Sequence, residues 1–303
     1  MRNTLIIIII VLLVGAGVYF YFLNNPLSLD ATPNKPSPYT SEEQNGSSMN
    51  VAGQENKDMT IIGTSVGGRD IVAYHFGSGE KELLFVGGIH GGYEWNTALL
   101  GNTLVDYLKT HPEVIPTSTK VTVIPVLNPD GLSKVVSSTN SFSAANVSPS
   151  QTLQVAGRFN GNTVDLNRNF DCDWQTNAVW QSKPVSGGST AFSEPESVAV
   201  KNYIAAHKPT AAVVWYSSAG GVFASNCHNG VSTSTQKITN VYAKASGYPA
   251  YESFDFYEVT GDMVNWLAKS DIPAISVLLT NHTDIEWAKN LAGIQAFLQH
   301  YAQ

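Results

Sequence analysis

The chain has 303 residues, a formal net charge of −7 at pH 7 and 43% hydrophobic residues. A chain this apolar can bury a core, so disorder over its whole length is excluded. The negative charge argues against a nucleic-acid partner held through its phosphates, and two cysteines are too few for a disulfide scaffold or a cysteine-rich zinc module.

The N-terminal segment has the pattern of a membrane anchor. Residues 4–23 are uncharged and mostly apolar, a run long enough to span the ~30 Å hydrocarbon core of a bilayer. The run ends in the aromatic residues 19–22, which suit a membrane interface better than a signal-peptidase site, where small residues are usual. We expect a single-pass anchor, with residues 1–3 as a cytoplasmic stub and the remainder outside the cell membrane; a cleaved signal peptide is the alternative.

The next segment, residues 24–58, is predicted to be a disordered linker. It carries four prolines among Ser, Asn, Glu and Gln residues, a composition that cannot bury a core. Residues 59–303 are therefore predicted to hold the folded domain.

Apolar and β-branched runs alternate with helical patterns along this domain. Strands are predicted over residues 59–62, 70–76, 82–87, 120–126, 210–216 and 272–279, the first two as a hairpin. Helices are predicted over residues 94–109, 193–206 and 285–300, and residues 133–163 are expected to be irregular. Ser193 is the predicted N-cap of the middle helix. The alternation predicts an α/β fold with a single mixed, mostly parallel sheet and helices on both faces.

Two residues at a strand end have the chemistry of metal ligands. In a sheet of this kind, ligands bind in the crevice beyond the strand ends. His90 follows the strand of residues 82–87, and Glu94 lies four residues later. An imidazole and a carboxylate this close can share one divalent ion, for which zinc is the usual choice. The structural alternative is a histidine that caps a turn and a glutamate in the first turn of a helix.

A second cluster lies in residues 158–170, where arginine, asparagine and aspartate are dense. Such a run is poor core material. Arginine presents a fork of donors that fits a carboxylate, and asparagine can donate beside it. The run therefore predicts a carboxylate-binding site, and a solvated loop with local salt bridges is the alternative.

Four motifs occur in the order found in the M14 zinc carboxypeptidases, a family that the chain resembles over residues 59–301. The motifs are Gly-Gly-Ile-His90-Gly-Gly-Tyr-Glu94, Asn128-Pro-Asp-Gly, Val164-Asp-Leu-Asn-Arg-Asn-Phe170 and Ser193-Glu-Pro-Glu196. The resemblance implies the fold of that family, one zinc ion, and removal of C-terminal residues from peptides, with cell-wall peptides as candidate substrates.

The resemblance also assigns catalytic roles. His90 and Glu94 match the first two zinc ligands, although one residue more than usual separates them. Arg158 matches the arginine that polarises the scissile carbonyl group. Tyr257, nine residues before Trp266, matches the mobile tyrosine that caps the substrate.

Three further residues match substrate-binding positions of the family. Asn167 and Arg168 match the pair that holds the free C-terminal carboxylate of the peptide. Val264 matches a position in the specificity pocket, and its aliphatic side chain gives no reason to expect a basic substrate residue there.

The chain departs from the family at two positions. The third zinc ligand is normally a histidine at the end of the strand of residues 210–216, where Ser217 stands in register. The catalytic glutamate is normally on the strand of residues 272–279, where Leu278 stands. His228 and His282 are the candidates to replace the missing ligand.

Two functions follow from these observations. The first is a membrane-anchored zinc carboxypeptidase acting on peptides with a free C-terminal carboxylate. The second is an inactive relative that binds peptide C-termini without cutting them. Ser217 and Leu278 favour the second function, whereas the complete Asn167–Arg168 pair and the nearly complete metal motif favour the enzyme. Outside the cytoplasm two thiols near one crevice tend to oxidise, so a disulfide between Cys172 and Cys227 is predicted, with two free thiols as the alternative.

Overall fold

A mixed eight-stranded sheet forms the centre of the computed structural model, which describes residues 58–302. The strands of the described chain are β1 (Met59–Thr64), β2 (Asp70–Gly77), β3 (Lys81–Val86), β4 (Thr119–Ile124), β5 (Asn177–Trp180), β6 (Lys183–Ser186), β7 (Ala211–Ser217), β8 (Gly221–Ala224), β9 (Ala250–Tyr251) and β10 (Ala274–Leu279). The helices are α1 (Trp95–Thr110), α2 (Pro129–Leu132), α3 (Gln151–Ala156), α4 (Pro195–His207), α5 (Thr233–Ser246), α6 (Met263–Lys269) and α7 (Trp287–His300). Strands β5 and β6 form a separate hairpin.

The central four strands of the large sheet are parallel. The strand order is β1-β2-β4-β3-β7-β10-β8-β9, in which β4, β3, β7 and β10 run parallel to one another. Strands β7 and β10 are buried along their whole length, as strands covered on both faces must be. Antiparallel pairing attaches β2 and β1 at one side and β8 at the other.

Helices cover both faces of this sheet. Leu84 and Val86 of β3 point into a core shared with α4 and α6, whereas Leu83 and Phe85 point into a core shared with α1, α5 and α7. The alternation follows from the two-residue period of a strand. The predicted single mixed, mostly parallel sheet with helices on both faces is confirmed.

The predicted N-cap of α4 is wrong. The helix begins at Pro195, Glu194 occupies the N-cap position, and the Ser193 hydroxyl donates to Glu194 Oε1 at 2.8 Å. Proline has a φ suited to the first helical turn and no N–H to lose there, so it sets the start of the helix. Helix α5 was not predicted, although Ser232 caps its N-terminus and Gly247 follows it with a φ of +76°.

The predicted disulfide between Cys172 and Cys227 is confirmed. Their Cα atoms lie 6.1 Å apart and 55 residues separate them in the chain. The bridge ties the segment just after Asn167 and Arg168 to the segment just after β8. It therefore joins two parts of the chain that meet at the candidate site.

Removing the bridge is expected to destabilise the fold. A Cys172→Ala/Cys227→Ala variant should lose about 4 kcal/mol of the free energy of unfolding, because a loop of this length is freed in the unfolded chain. Urea denaturation measures the loss, and the Cys172→Ala single variant should show a similar one. Unchanged denaturation midpoints would contradict the prediction.

The predicted anchor and almost all of the predicted linker lie in residues 1–57, outside the described residues. Within residues 58–302, no helix combines the length and the apolar character that a membrane span requires.

Candidate functional site

A cavity of about 400 Å³ opens beyond the carboxyl ends of β7 and β10. This is where a parallel sheet places its ligand crevice, because the loops that follow the strands meet there. The cavity collects most of the residues predicted for the site: His90, Arg158, Asn167, Arg168, Ser217, Tyr257, Val264 and Leu278.

His90 and Glu94 lie side by side under this cavity. His90 Nδ1 is 2.9 Å from Glu94 Oε1, and both side chains are almost fully buried. The extra residue between them is accommodated by Gly91, which adopts a φ of +42°. A Cβ atom on Gly91 would lie 2.7 Å from the backbone nitrogen of Leu132, so the turn requires glycine.

Asp165 holds His90 and Arg158 in place. Its Oδ2 accepts a hydrogen bond from Arg158 Nε at 2.8 Å, and its Oδ1 lies 3.3 Å from His90 Nε2. Burial alone would raise the pKa of Asp165, but the charges of Arg158 and His90 keep that pKa well below its ordinary value. A carboxylate behind an imidazole is how proteins orient metal-binding histidines. The sequence places Asp165 in the motif of residues 164–170, but the motif alone did not indicate that this carboxylate orients His90.

The described residues provide two of the three protein ligands that a catalytic zinc ion requires. His90 Nδ1 and Glu94 Oε2 are buried without a well-aligned hydrogen bond, which leaves both atoms free to bind a cation. However, no three His, Cys, Asp or Glu side chains of residues 58–302 are grouped so that they could hold a metal ion. The residues present therefore do not fit a catalytic zinc site of the three-ligand type.

Tyr216 is the residue of β7 whose side chain contacts His90. The two ring centroids are 5.9 Å apart, and the Tyr216 hydroxyl donates to Asn167 Oδ1 at 3.1 Å. Ser217, the next residue, donates through its hydroxyl to Asn96 Oδ1 on α1 at 2.9 Å. Burial raises the pKa of Tyr216 well above its ordinary value, so its phenol is a neutral donor. Sequence reasoning did not single out Tyr216.

Leu278 stands beside Tyr216 in the sheet. The two residues are paired in the register of β10 with β7, and Leu278 belongs to the apolar core under the cavity. At this point the wall of the cavity is hydrocarbon. A hydrocarbon wall can exclude water, but it can neither take up nor release a proton.

The two histidines proposed as substitutes are placed differently. His282 lines a smaller cavity of about 270 Å³ beside the first, its ring 4.6 Å from the ring of Tyr93. Its Nδ1 is buried without a partner among the described residues, and burial lowers its pKa. The His228 side chain is 70% exposed and lines neither cavity, and its Nε2 atom is hydrogen-bonded to Asp173 Oδ1 at 2.7 Å.

Asn167 and Arg168 present donors to the cavity. Asn167 Oδ1 accepts from Tyr216 and from the backbone N–H of Met263, an arrangement that leaves the amide nitrogen Nδ2 to donate to a ligand. Arg168 is 1% exposed and gives three hydrogen bonds to the backbone carbonyls of Asn167 and Val179. Two of its five N–H donors remain without a partner within the described part of the chain.

Three further predicted residues, Tyr257, Val264 and Arg158, also line the cavity. Tyr257 is half-buried in the loop before α6, with its ring 5.0 Å from the ring of Phe254. Val264 is buried in the first turn of α6. Arg158 stacks on Trp180, its Cζ atom 4.4 Å from the ring centroid.

An α/β sheet with arginine and asparagine donors in a crevice beyond its parallel strands, next to a buried His–Glu pair, resembles the arrangement of a peptidase-like class of protein. The family model for zinc carboxypeptidase matches residues 49–285. The chain therefore belongs to the zinc carboxypeptidase family, as the resemblance predicted.

Curated relatives match a part of the chain. Carboxypeptidase D of Mus musculus is 32% identical over 135 residues, which cover 43% of this chain and 8% of that protein. Bacteriocin BCN5 of Clostridium perfringens is 29% identical over 156 residues, covering 49% of this chain and 15% of that protein. The match spans less than a fifth of the length of either relative.

Solved structures of related proteins share the fold. Carboxypeptidase A of Helicoverpa armigera superimposes with a TM-score of 0.63 at 19% identity, over 80% of this chain and 68% of that one. A murein-tripeptide amidase of Escherichia coli O157 gives a TM-score of 0.56 at 20% identity, over 81% of this chain and 92% of that one.

Proposed function

We propose that this chain binds the C-terminal end of a peptide in the 400 Å³ cavity and does not hydrolyse it. The observation that carries the proposal is Tyr216, whose ring contacts His90 and whose hydroxyl holds Asn167. The family resemblance implies a third metal ligand at the end of β7, but the β7 side chain that faces His90 is a phenol that donates to Asn167.

Recognition of the carboxylate is assigned to Asn167 and Arg168. With Asn167 Oδ1 occupied by Tyr216 and Met263, its Nδ2 is a fixed donor, and Arg168 adds two charged N–H donors beside it. Charge-assisted hydrogen bonds from fixed donors in a buried crevice are the strong class of hydrogen bond. Because backbone carbonyls already orient the arginine, little conformational entropy is lost when the ligand binds.

Absence of hydrolysis is inferred from two positions. The neutral phenol of Tyr216 is a poor cation ligand, and Leu278 provides no carboxylate to act as a general base. Losing a general base alone typically costs ~10²–10⁴-fold in rate. The cell-wall peptides suggested by the sequence remain candidate ligands, and one structural relative is a murein-tripeptide amidase.

Peptide binding is expected to be independent of metal. A fluorescent peptide with a free C-terminus should bind with the same Kd before and after treatment of the protein with EDTA, and mass spectrometry should find it uncut. A Kd that rises after chelation, or a shortened peptide, would contradict the proposed function.

Hydrolysis is the second candidate, and it is favoured by His282 Nδ1, which is buried without a hydrogen-bond partner among residues 58–302. In that case the peptide is shortened, EDTA stops the cleavage, and His282→Ala abolishes it. His228→Ala is the matched control, because His228 lies outside both cavities and its removal should leave the cleavage unchanged.

We also propose that residues 4–23 anchor the protein in the cell membrane with its domain outside. The support is the uncharged apolar run and its aromatic end. The full-length protein should then sediment with membranes, and protease added from outside should digest its C-terminal domain. A soluble mature form that starts near Asp30 would show cleavage by a signal peptidase and contradict the anchor.

A further inference from the structure

A hairpin outside the large sheet contacts both arginines of the 400 Å³ cavity. Strands β5 and β6 form this hairpin. The backbone carbonyl of Val179 accepts from Arg168 Nε at 3.0 Å and from Arg168 Nη2 at 2.9 Å. The next residue, Trp180, places its ring against the guanidinium group of Arg158. Two consecutive residues of one hairpin therefore contact both guanidinium groups of the cavity.

The contact between Trp180 and Arg158 joins two buried groups. The Arg158 Cζ atom lies 4.4 Å from the centroid of the Trp180 ring and 5.6 Å from that of Tyr93, and the two rings meet edge to face at 4.8 Å. Both Arg158 and Trp180 are buried. A guanidinium cation is attracted to the face of an aromatic ring, most strongly to that of tryptophan, and the attraction is larger where water is excluded.

Hydrogen bonds alone do not fix the orientation of the Arg158 guanidinium group. Within residues 58–302, its one hydrogen bond runs from Nε to Asp165. The Nη1 atom lies 4.0 Å from Glu94 Oε1, which is too far for a hydrogen bond. A single bond at Nε holds that atom but leaves the plane of the group free to turn, and a ring against the face of the group removes this freedom. The N–H groups on the two Nη atoms remain to donate to a ligand.

Arg158 lines both the 400 Å³ cavity and the 270 Å³ cavity beside it. A peptide whose last residue fills the larger cavity and whose preceding residue enters the smaller one brings its last peptide bond to this junction. We infer that Trp180 is a positioning residue, whose ring fixes the Arg158 guanidinium group so that it donates to the carbonyl of that bond. The inference rests on the proposed function, in which Arg168 holds the C-terminal carboxylate.

Two peptide analogues with a free C-terminus test the inference. In one a ketomethylene unit (–CO–CH₂–) replaces the last peptide bond, and in the other an (E)-alkene unit (–CH=CH–) replaces it, so both lack the amide N–H and only the first has the carbonyl. The full chain should bind the ketomethylene analogue about tenfold more tightly, as isothermal titration can measure. In Trp180→Leu this carbonyl preference should fall to within about threefold, whereas Trp180→Phe, which keeps a ring face, should retain most of it.

A second preference separates positioning from a general loss of structure. Arg168 is held by the backbone carbonyl of Val179 and not by the Trp180 side chain, so the preference for a free-acid peptide over its amide should stay within about twofold in Trp180→Leu. Trp174→Leu is the matched control, because Trp174 lies in the same segment and donates to the Gly187 carbonyl at 2.8 Å. It should keep both preferences.

The outcomes distinguish the inference from the proposed function. A carbonyl preference that survives Trp180→Leu, or that falls together with the acid preference, would overturn the inference, as would equal binding of the two analogues by the wild-type chain. Equal binding of the free acid and the amide by the wild-type chain would instead contradict the proposed function. If Trp180→Leu does not fold, Trp180→Met replaces it, since methionine fills irregular space without a ring face.

Discussion

A Tyr216→His/Leu278→Glu variant is expected to retain a bound zinc ion after dialysis and to remove C-terminal residues from peptides. The histidine would complete a three-ligand set with His90 and Glu94, because the side chain at this position already faces His90. The glutamate would stand beside it in the register of β10 with β7 and provide a general base, worth ~10²–10⁴-fold in rate. Metal analysis and a peptide-cleavage assay measure the two gains.

The matched control keeps Leu278→Glu and places the histidine one residue later, at position 217. Ser217→His/Leu278→Glu introduces the same residue types, and it follows the register that sequence reasoning assigned. This variant should gain neither zinc nor activity, because the side chain at position 217 faces α1 and not His90. The Ser217 hydroxyl donates to Asn96 on that helix. Equal zinc content in the two double variants, or none in either, would contradict the role given to Tyr216.

An Arg168→Ala variant is expected to bind a free-acid peptide roughly ten- to a hundredfold more weakly. The lost charge-assisted hydrogen bonds are worth about 1.5–3 kcal/mol, at ~1.4 kcal/mol per decade of Kd. The same peptide with a C-terminal amide should bind as before, since it offers no carboxylate. Isothermal titration with both peptides gives the comparison.

Arg168→Lys separates the charge from the geometry of the guanidinium group. Lysine keeps the positive charge but cannot present two parallel donors. The affinity of Arg168→Lys for the free-acid peptide should therefore lie between the affinities of wild type and Arg168→Ala. Arg168 is buried and holds Val179, so circular dichroism must first show that each variant is folded. Equal weakening for acid and amide peptides would contradict the carboxylate site.

Much of the site could be found from residue types and order alone. Asn167 and Arg168 are recognisable because a dense run of amide and guanidinium groups is unsuited to a core, and the structure brings them to one cavity with Arg158. His282 and His228 are equally plausible as substitutes from their positions in the chain. Packing distinguishes them, since His282 is held against Tyr93 and His228 extends to Asp173 at the surface.

The sequence by itself determined the central strands and the family, because strands buried on both faces are continuous apolar runs and the motifs keep their order along the chain. Only the tertiary structure decided that Tyr216, not Ser217, lies against His90. Neighbouring residues of a strand face opposite sides of a sheet, so a difference of one residue in register exchanges them. Likewise, the backbone N–H of Asn226 reaches Asn265 Oδ1 only when α6 packs beside the end of β8, a contact between distant segments that no local pattern encodes.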